Sequence, residues 1–141
     1  QIIWAAILDY IAQSEAEARE KIILRYANEI RILIQQDEFI DGEVSRSEQY
    51  MIEGYEQGQL DFITEALMRV YSSNLGEAHI LEGILTMIAC VPYEAVSPKG
   101  QIMAMGLLTN KILSVRDKAL VFERWNSKKG IGLLEECIML S

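Results

Sequence analysis

Histidine and cysteine are nearly absent from this 141-residue chain: there is one histidine, His79, and two distant cysteines, Cys90 and Cys137. A metal centre of the common kinds needs several such ligands converging, and neither Glu-x-x-His nor paired Cys spacing occurs around His79, where Gly76 holds the glutamate position. A multi-disulfide scaffold is excluded for the same reason. Proline is equally scarce, with 2 residues, and 9 glycines are scattered without a phosphate-binding loop; Gly130-Ile131-Gly132 lacks the following lysine or glycine. Basic residues are too few for a nucleic-acid surface, 13 against 21 acidic, a net charge of −8. No apolar run reaches the twenty or so residues that span a bilayer, since Asp9 interrupts the stretch from Ile2 to Leu8. No secretory signal is visible, and both cysteines stand among apolar neighbours, so the expectation is buried, reduced thiols in a cytoplasmic protein.

Apolar residues are plentiful, half of the chain, and they recur at helical spacing. Ile3, Ile7, Leu8 and Ile11 mark a short first helix. Ser14 and Glu17 have capping-box spacing and predict the start of a second at Glu15, with a stripe through Ala18, Ile22, Ile23, Tyr26, Ala27, Ile30, Leu33 and Ile34 to about Gln36. Asp41-Gly42 reads as a turn, Ser45 and Glu48 as the next capping box, and Gly58 as the end of the helix that follows. Leu60, Ile63, Leu67 and Val70 define another helix that stops near Ser72–Asn74. Ile80, Leu81, Ile84, Leu85 and Ile88 define one that must end before Pro92. Ser97-Pro98 reads as a cap followed by proline at the first helical position, opening a helix through Ile102, Met105, Leu107 and Leu108. Ser114 and Asp117 cap a helix with Val115, Ala119, Phe122 and Trp125, and a last one runs from Leu133 to Leu140. No stretch alternates in strand fashion. The expected class is all-α, a single domain of six to eight helices, with 1–58 an irregular acidic helical region and 59–141 a set of helical hairpins. Leu67, Leu81, Ile84, Leu85, Leu108, Ala119 and Phe122 are expected in its core.

Two helix starts recur with one offset of 38 residues, Leu60 to Pro98 and Gly76 to Ser114. In that register Ala66 falls on Ala104, Leu67 on Met105 and Val70 on Leu108, the signature of a repeated helical hairpin. Residues 98–126 resemble one HEAT repeat: Pro98 near the start, Ala104, Leu107 and Leu108 in the first helix, then Val115-Arg116, Ala119 and Leu120 in the second. Residues 60–91 keep the apolar spacing but carry Glu77-Ala78 where the Val-Arg pair belongs. The acidic residue customary before that pair is replaced by Leu113-Ser114. The resemblance implies hairpins stacked as a short superhelix, with the arginine tying its turn to a neighbour; it implies a fold and no activity.

The charge is concentrated. Between Asp37 and Glu65 nine carboxylates face a single arginine, Arg46, so the whole net charge of −8 falls in 29 residues. A solvated face explains this as well as a docking surface does. As a docking surface its residues are Asp37, Glu38, Asp41, Glu43, Glu48, Glu53, Glu56 and Asp61, with Tyr50 and Tyr55 to hold the stems of basic side chains. The partner would then be a basic protein. No catalytic group, cofactor or metal is expected, because nothing in sequence gives Cys90 a base or His79 a second ligand. The expected function is non-catalytic protein binding: a small acidic inhibitor or immunity protein that neutralises a basic toxin such as a nuclease. The alternative is an adaptor or scaffold module, a fragment of a larger helical-repeat protein, to which the absent initiator methionine and the apolar end Cys137–Ser141 incline.

Overall fold

Residues 2–40 and 42–108 are described by a computed structural model. They form five α-helices and one 3-10 turn: α1 (Ile2–Gln36), α2 (Arg46–Glu56), α3 (Leu60–Ser73), α4 (Ala78–Ile88), a 3-10 turn at Tyr93–Val96, and α5 (Lys99–Leu108). No strand occurs among the described residues, as the periodicity predicts. The helix count there is five where six to eight are expected. One cause is that the two helices expected before and after Ser14 are one, 35 residues long. From Ile2 to Gln36 the chain has neither glycine nor proline, and Ala12–Ala18 consists of residues that continue a helix readily. Serine and glutamate three apart fit a helix interior as well as a cap, and Glu17 there accepts from Gln13, one turn back, at 3.5 Å. The helices expected from Ser114 onward, with Ala119 and Phe122, lie outside the described residues.

Other signals act locally as expected. Ser45 is the N-cap of α2: its hydroxyl accepts the Glu48 N–H at 3.2 Å and Glu48 accepts the Ser45 N–H at 3.4 Å. At the other end Gly58 takes φ +72°, a left-handed conformation that costs glycine little. The Gln59 N–H bonds the Gly54 carbonyl and the Gly58 N–H that of Tyr55, the Schellman pattern. Gly42, at φ +85°, sits in a turn closed by the Glu43 N–H on the Ile40 carbonyl. The Ser97-Pro98 expectation shifts by one residue: α5 begins at Lys99, and Pro98 supplies the carbonyl that accepts the Ile102 N–H.

The core is centred on α4. Seven of its 11 residues are buried, including Leu81, Ile84 and Leu85, and it packs against α1, α2, α3 and α5. Ile23, Ile30 and Ile34 of α1, Met51 of α2, Ile63, Ala66, Leu67 and Val70 of α3, and Met103, Ala104 and Leu107 of α5 complete it. The acidic region 1–58 is therefore regular, two helices that share this core. α3 packs most extensively on α1, and α3 with α4 covers the expected 60–91 unit. The second hairpin of the repeat reading extends past Leu108, mostly outside the described residues.

Close approach of α1 to α4 depends on Gly83. A Cβ there would stand 2.4 Å from Ile34 Cγ2 and 3.1 Å from the Phe39 ring. Ile34 is fully buried and β-branched, so it has little freedom to give way. Gly83→Ala should destabilise the fold by about 1–3 kcal/mol despite alanine's better helix propensity. Leu85→Ala should cost about 2–5 kcal/mol. Gly76→Ala, with open space around it, should be close to neutral. Urea unfolding of the three variants separates these outcomes.

Candidate protein-binding face

The acidic segment divides into carboxylates that build the fold and carboxylates that face solvent. Asp37 belongs to the first group. It follows the last residue of α1, is 8% exposed, and its Oδ2 accepts the backbone N–H of Ser47 at 2.7 Å together with the Ser47 hydroxyl. Ser47 is the second residue of α2, so Asp37 satisfies one orphan donor of that helix's first turn while Ser45 satisfies the next. A carboxylate at this end also complements the helix dipole. Arg46 lies against it, Nε to Oδ1 at 3.5 Å, and donates to Gln36 at 3.1 Å. The single cation of the segment is thus engaged at the α1–α2 junction.

Glu48 is also committed, through the capping box and through the Cys90 thiol at 3.5 Å. Tyr50 is half-buried: it donates to Glu29 at 2.8 Å and meets the Tyr26 ring edge-on at 6.3 Å. Burial and the neighbouring Glu29 carboxylate push its phenol well above the ordinary range, so it stays a neutral donor. Glu65 pairs with Lys99 at 3.0 Å and with Arg69 at 3.7 Å. Arg69 also holds Glu20 of α1 through both guanidinium nitrogens, and this hydrogen bond keeps the Glu20 carboxyl below its usual range.

Glu38, Glu43, Glu53, Tyr55, Glu56 and Asp61 are exposed. Glu53 and Glu56 share the solvent side of α2 with Gln49, which donates to Glu53 at 3.2 Å, while Ser47, Met51 and Gly54 face the core. Glu38 and Glu43 stand in the loop that enters α2, and Asp61 stands just beyond its end. No ion pair within the chain opposes Glu38, Glu43, Glu53, Glu56 or Asp61 among the described residues. Asp41 lies outside the described residues. Of the ten residues expected at a docking surface, Asp37, Glu48 and Tyr50 are therefore fastened internally, and six remain outward. The loss of Asp37 and Tyr50 was not legible in the sequence, because their partners stand 10 and 21 residues away, whereas that of Glu48 is implicit in the capping box with Ser45.

His79 and Cys90 hold structural positions. His79 Nε2 donates to the Ile34 carbonyl at 2.7 Å, adding to the 3.3 Å bond which that oxygen accepts from the Asp37 N–H at the end of α1, and its ring lies against Phe39 at 5.5 Å. The Cys90 thiol donates to the Thr86 carbonyl at 3.1 Å, and burial beside Glu48 pushes its pKa up to about 12. A groove of about 230 Å³ between α1 and α3, lined in part by Leu24, Ala27, Arg31 and Val70, falls below the usual size of a small-molecule site. No group of three His, Cys, Asp or Glu side chains converges as metal ligands among the described residues, and no helix there is long and apolar enough to cross a membrane.

Comparison with models of known protein families, with curated proteins and with solved structures finds no match to this chain.

Asp37→Ala should cost about 1–3 kcal/mol, because it leaves the buried Ser47 N–H and hydroxyl without their acceptor. Denaturant unfolding measures this, and Glu53→Ala, on the solvent side, should change stability by no more than about 0.5 kcal/mol. At pH 8, Cys90 in the native chain should alkylate with iodoacetamide at least about a hundredfold more slowly than in the unfolded chain, whose thiols titrate near 8.5. Peptide mapping by mass spectrometry separates Cys90 from Cys137.

Proposed function

We propose that this chain is a non-catalytic binding protein that takes a basic protein partner on the solvent side of α2 and the loops flanking it. The observation that carries the reading is the unopposed charge there: Glu38, Glu43, Glu53, Glu56 and Asp61 are exposed, while Arg46 is engaged with Asp37. A concentrated field of one sign steers an oppositely charged partner and raises its association rate. Tyr55, 44% exposed, follows Glu53 by two residues and so is turned roughly 160° from it around α2, which leaves it off the acidic side. The more specific form of the proposal is an inhibitor or immunity protein that covers the positively charged site of a toxin such as a nuclease, in the manner of acidic single-domain inhibitors. A HEAT-like stacking of the hairpins at 60–91 and 98–126 would present this side as one flank of a short superhelix.

A second reading, an adaptor or scaffold module, is favoured by one separate feature. The first half of α1 stands clear of the core and exposes Ile3, Trp4, Leu8 and Tyr10. A protein whose only task is to cover an active site has no use for such an arm.

Glu43→Lys, Glu53→Lys and Glu56→Lys together test the first reading without touching Glu48, whose reversal would break the α2 cap, or Asp61, which complements the first turn of α3. Capture on the immobilised chain from cell extract at low salt should retain basic proteins that high salt releases. The triple variant should retain less than a tenth of them at unchanged unfolding midpoint. Equal retention by the variant would show the acidic side to be a solvated surface alone.

A further inference from the structure

From Ile3 to Arg19 every residue of α1 is exposed, and Ile23 is the first buried residue of the helix. At 1.5 Å per residue this arm is roughly 25 Å long. Its apolar side chains are not scattered. Ile3, Trp4, Ile7, Leu8 and Ile11 fall within one stripe at spacings of three and four, with Asp9 on the opposite side. At 100° per residue that stripe is turned roughly a third of a circle from Ile23, Ile30 and Ile34, which face the core. It is a separate surface, and an extension of the core-facing side would not cover it.

We propose that this stripe is the contact with a second copy of the chain, the two arms crossing antiparallel near Ile7. Five side chains exposed by 42–73% present on the order of 600 Å² per copy, the upper end of the largest apolar patch that a monomer ordinarily leaves bare. Two such surfaces bury about 1,200 Å², the lower bound of a stable specific interface. Charge selects the occupant and its direction. Residues 2–14 carry one charge, Asp9, which faces away, so nothing there recruits the basic partner of the acidic side and nothing repels a copy. A lipid surface is disfavoured, because the flanking charges are mainly acidic, Asp9, Glu15, Glu17 and Glu20 against Arg19 and Lys21. Antiparallel arms put the two acidic bodies roughly 40 Å apart, several screening lengths. Parallel arms, about 8–10 Å apart, would bring the bodies side by side. An antiparallel pair about a two-fold axis sets Ile7 against Ile7 and Ile3 against Ile11, the self-complementary pattern of a closed dimer.

Sedimentation equilibrium of the full chain over a range of concentrations tests this. The wild type should be a dimer, and Ile7→Asp should raise the dissociation constant at least about thirtyfold, with helical circular dichroism retained. Leu8→Glu should act in the same direction. Under oxidation Ile7→Cys should give a disulfide-linked dimer and Ile3→Cys should not. A wild type that stays monomeric throughout would overturn the proposal, as would equal cross-linking of Ile3→Cys, which signifies parallel arms. A monomer whose unfolding midpoint falls in Ile7→Asp would overturn it in favour of residues 109–141 covering the stripe. Sedimentation of a monomeric wild type with neutral phosphatidylcholine vesicles would overturn it in favour of lipid.

Discussion

The seat of Ile34 on Gly83 fixes where everything else can go. A helix of 35 residues has no reason of its own to bind a core at one end and leave it at the other. Near its last turns α1 is held in three ways. The Ile34 side chain occupies space that any Cβ on α4 would take, His79 caps the Ile34 carbonyl, and Asp37 turns the chain directly into the first turn of α2. The three act within four residues of one another: one packs the Ile34 side chain, one adds a bond to its carbonyl, and one supplies the acceptor for the buried Ser47 donors. With α1 held there, the helix has too much length for the core it meets. Its first half has to project.

That excess length separates two surfaces of opposite character. On the body, the acidic side of α2 is polar and would attract by field; on the arm, the stripe from Ile3 to Ile11 is nearly uncharged and would attract by burial. Long-range fields select sign and rate, while apolar contact sets how long a complex lasts. A single patch carrying both would have to desolvate carboxylates in order to bury isoleucine, at several kcal/mol per ion. Distance along one helix removes that conflict.

The body was legible wherever the determining signal was local. Ser45 with Glu48, Gly58 behind Glu56, and the all-round apolar sequence of α4 each specify structure within a few residues, and the core residues Leu67, Leu81, Ile84 and Leu85 follow from them. The same local signal misled at Ser14 and Glu17, since a capping box starts a helix only where something upstream stops one, and the preceding residues contain no breaker. Long-range pairing was invisible. Asp37 reads as surface charge until Ser47 is placed beside it, and Ile3, Ile7 and Ile11 read only as the apolar face of a helix, because periodicity reports which residues share a side and not what covers it. Apolar periodicity placed α3, α4 and the start of α5, but a repeat is defined by how its units stack, and most of the second unit lies outside the described residues.

The acidic composition therefore overstates the charge available to a partner. A carboxylate that caps a helix is held by its donors, and reaching outward would break bonds worth more than an exposed ion pair returns. Asp37, Glu48 and Glu65 spend their charge inside the molecule, on a helix terminus, a capping box and the Lys99 and Arg69 cations. Their presence accounts for much of the clustering without any appeal to binding, because the junctions of α1, α2 and α3 fall within this one stretch of chain. Of the carboxylates that remain, Asp61 stands in the first turn of α3 and complements its dipole, while Glu38, Glu43, Glu53 and Glu56 have no such structural duty among the described residues. Their mutual repulsion is modest at physiological salt, but it opposes folding, and no ion pair offsets it among the described residues. A cationic surface on the proposed partner would convert that repulsion into attraction, and the charge it would meet is that of these exposed residues and not the net charge of the whole.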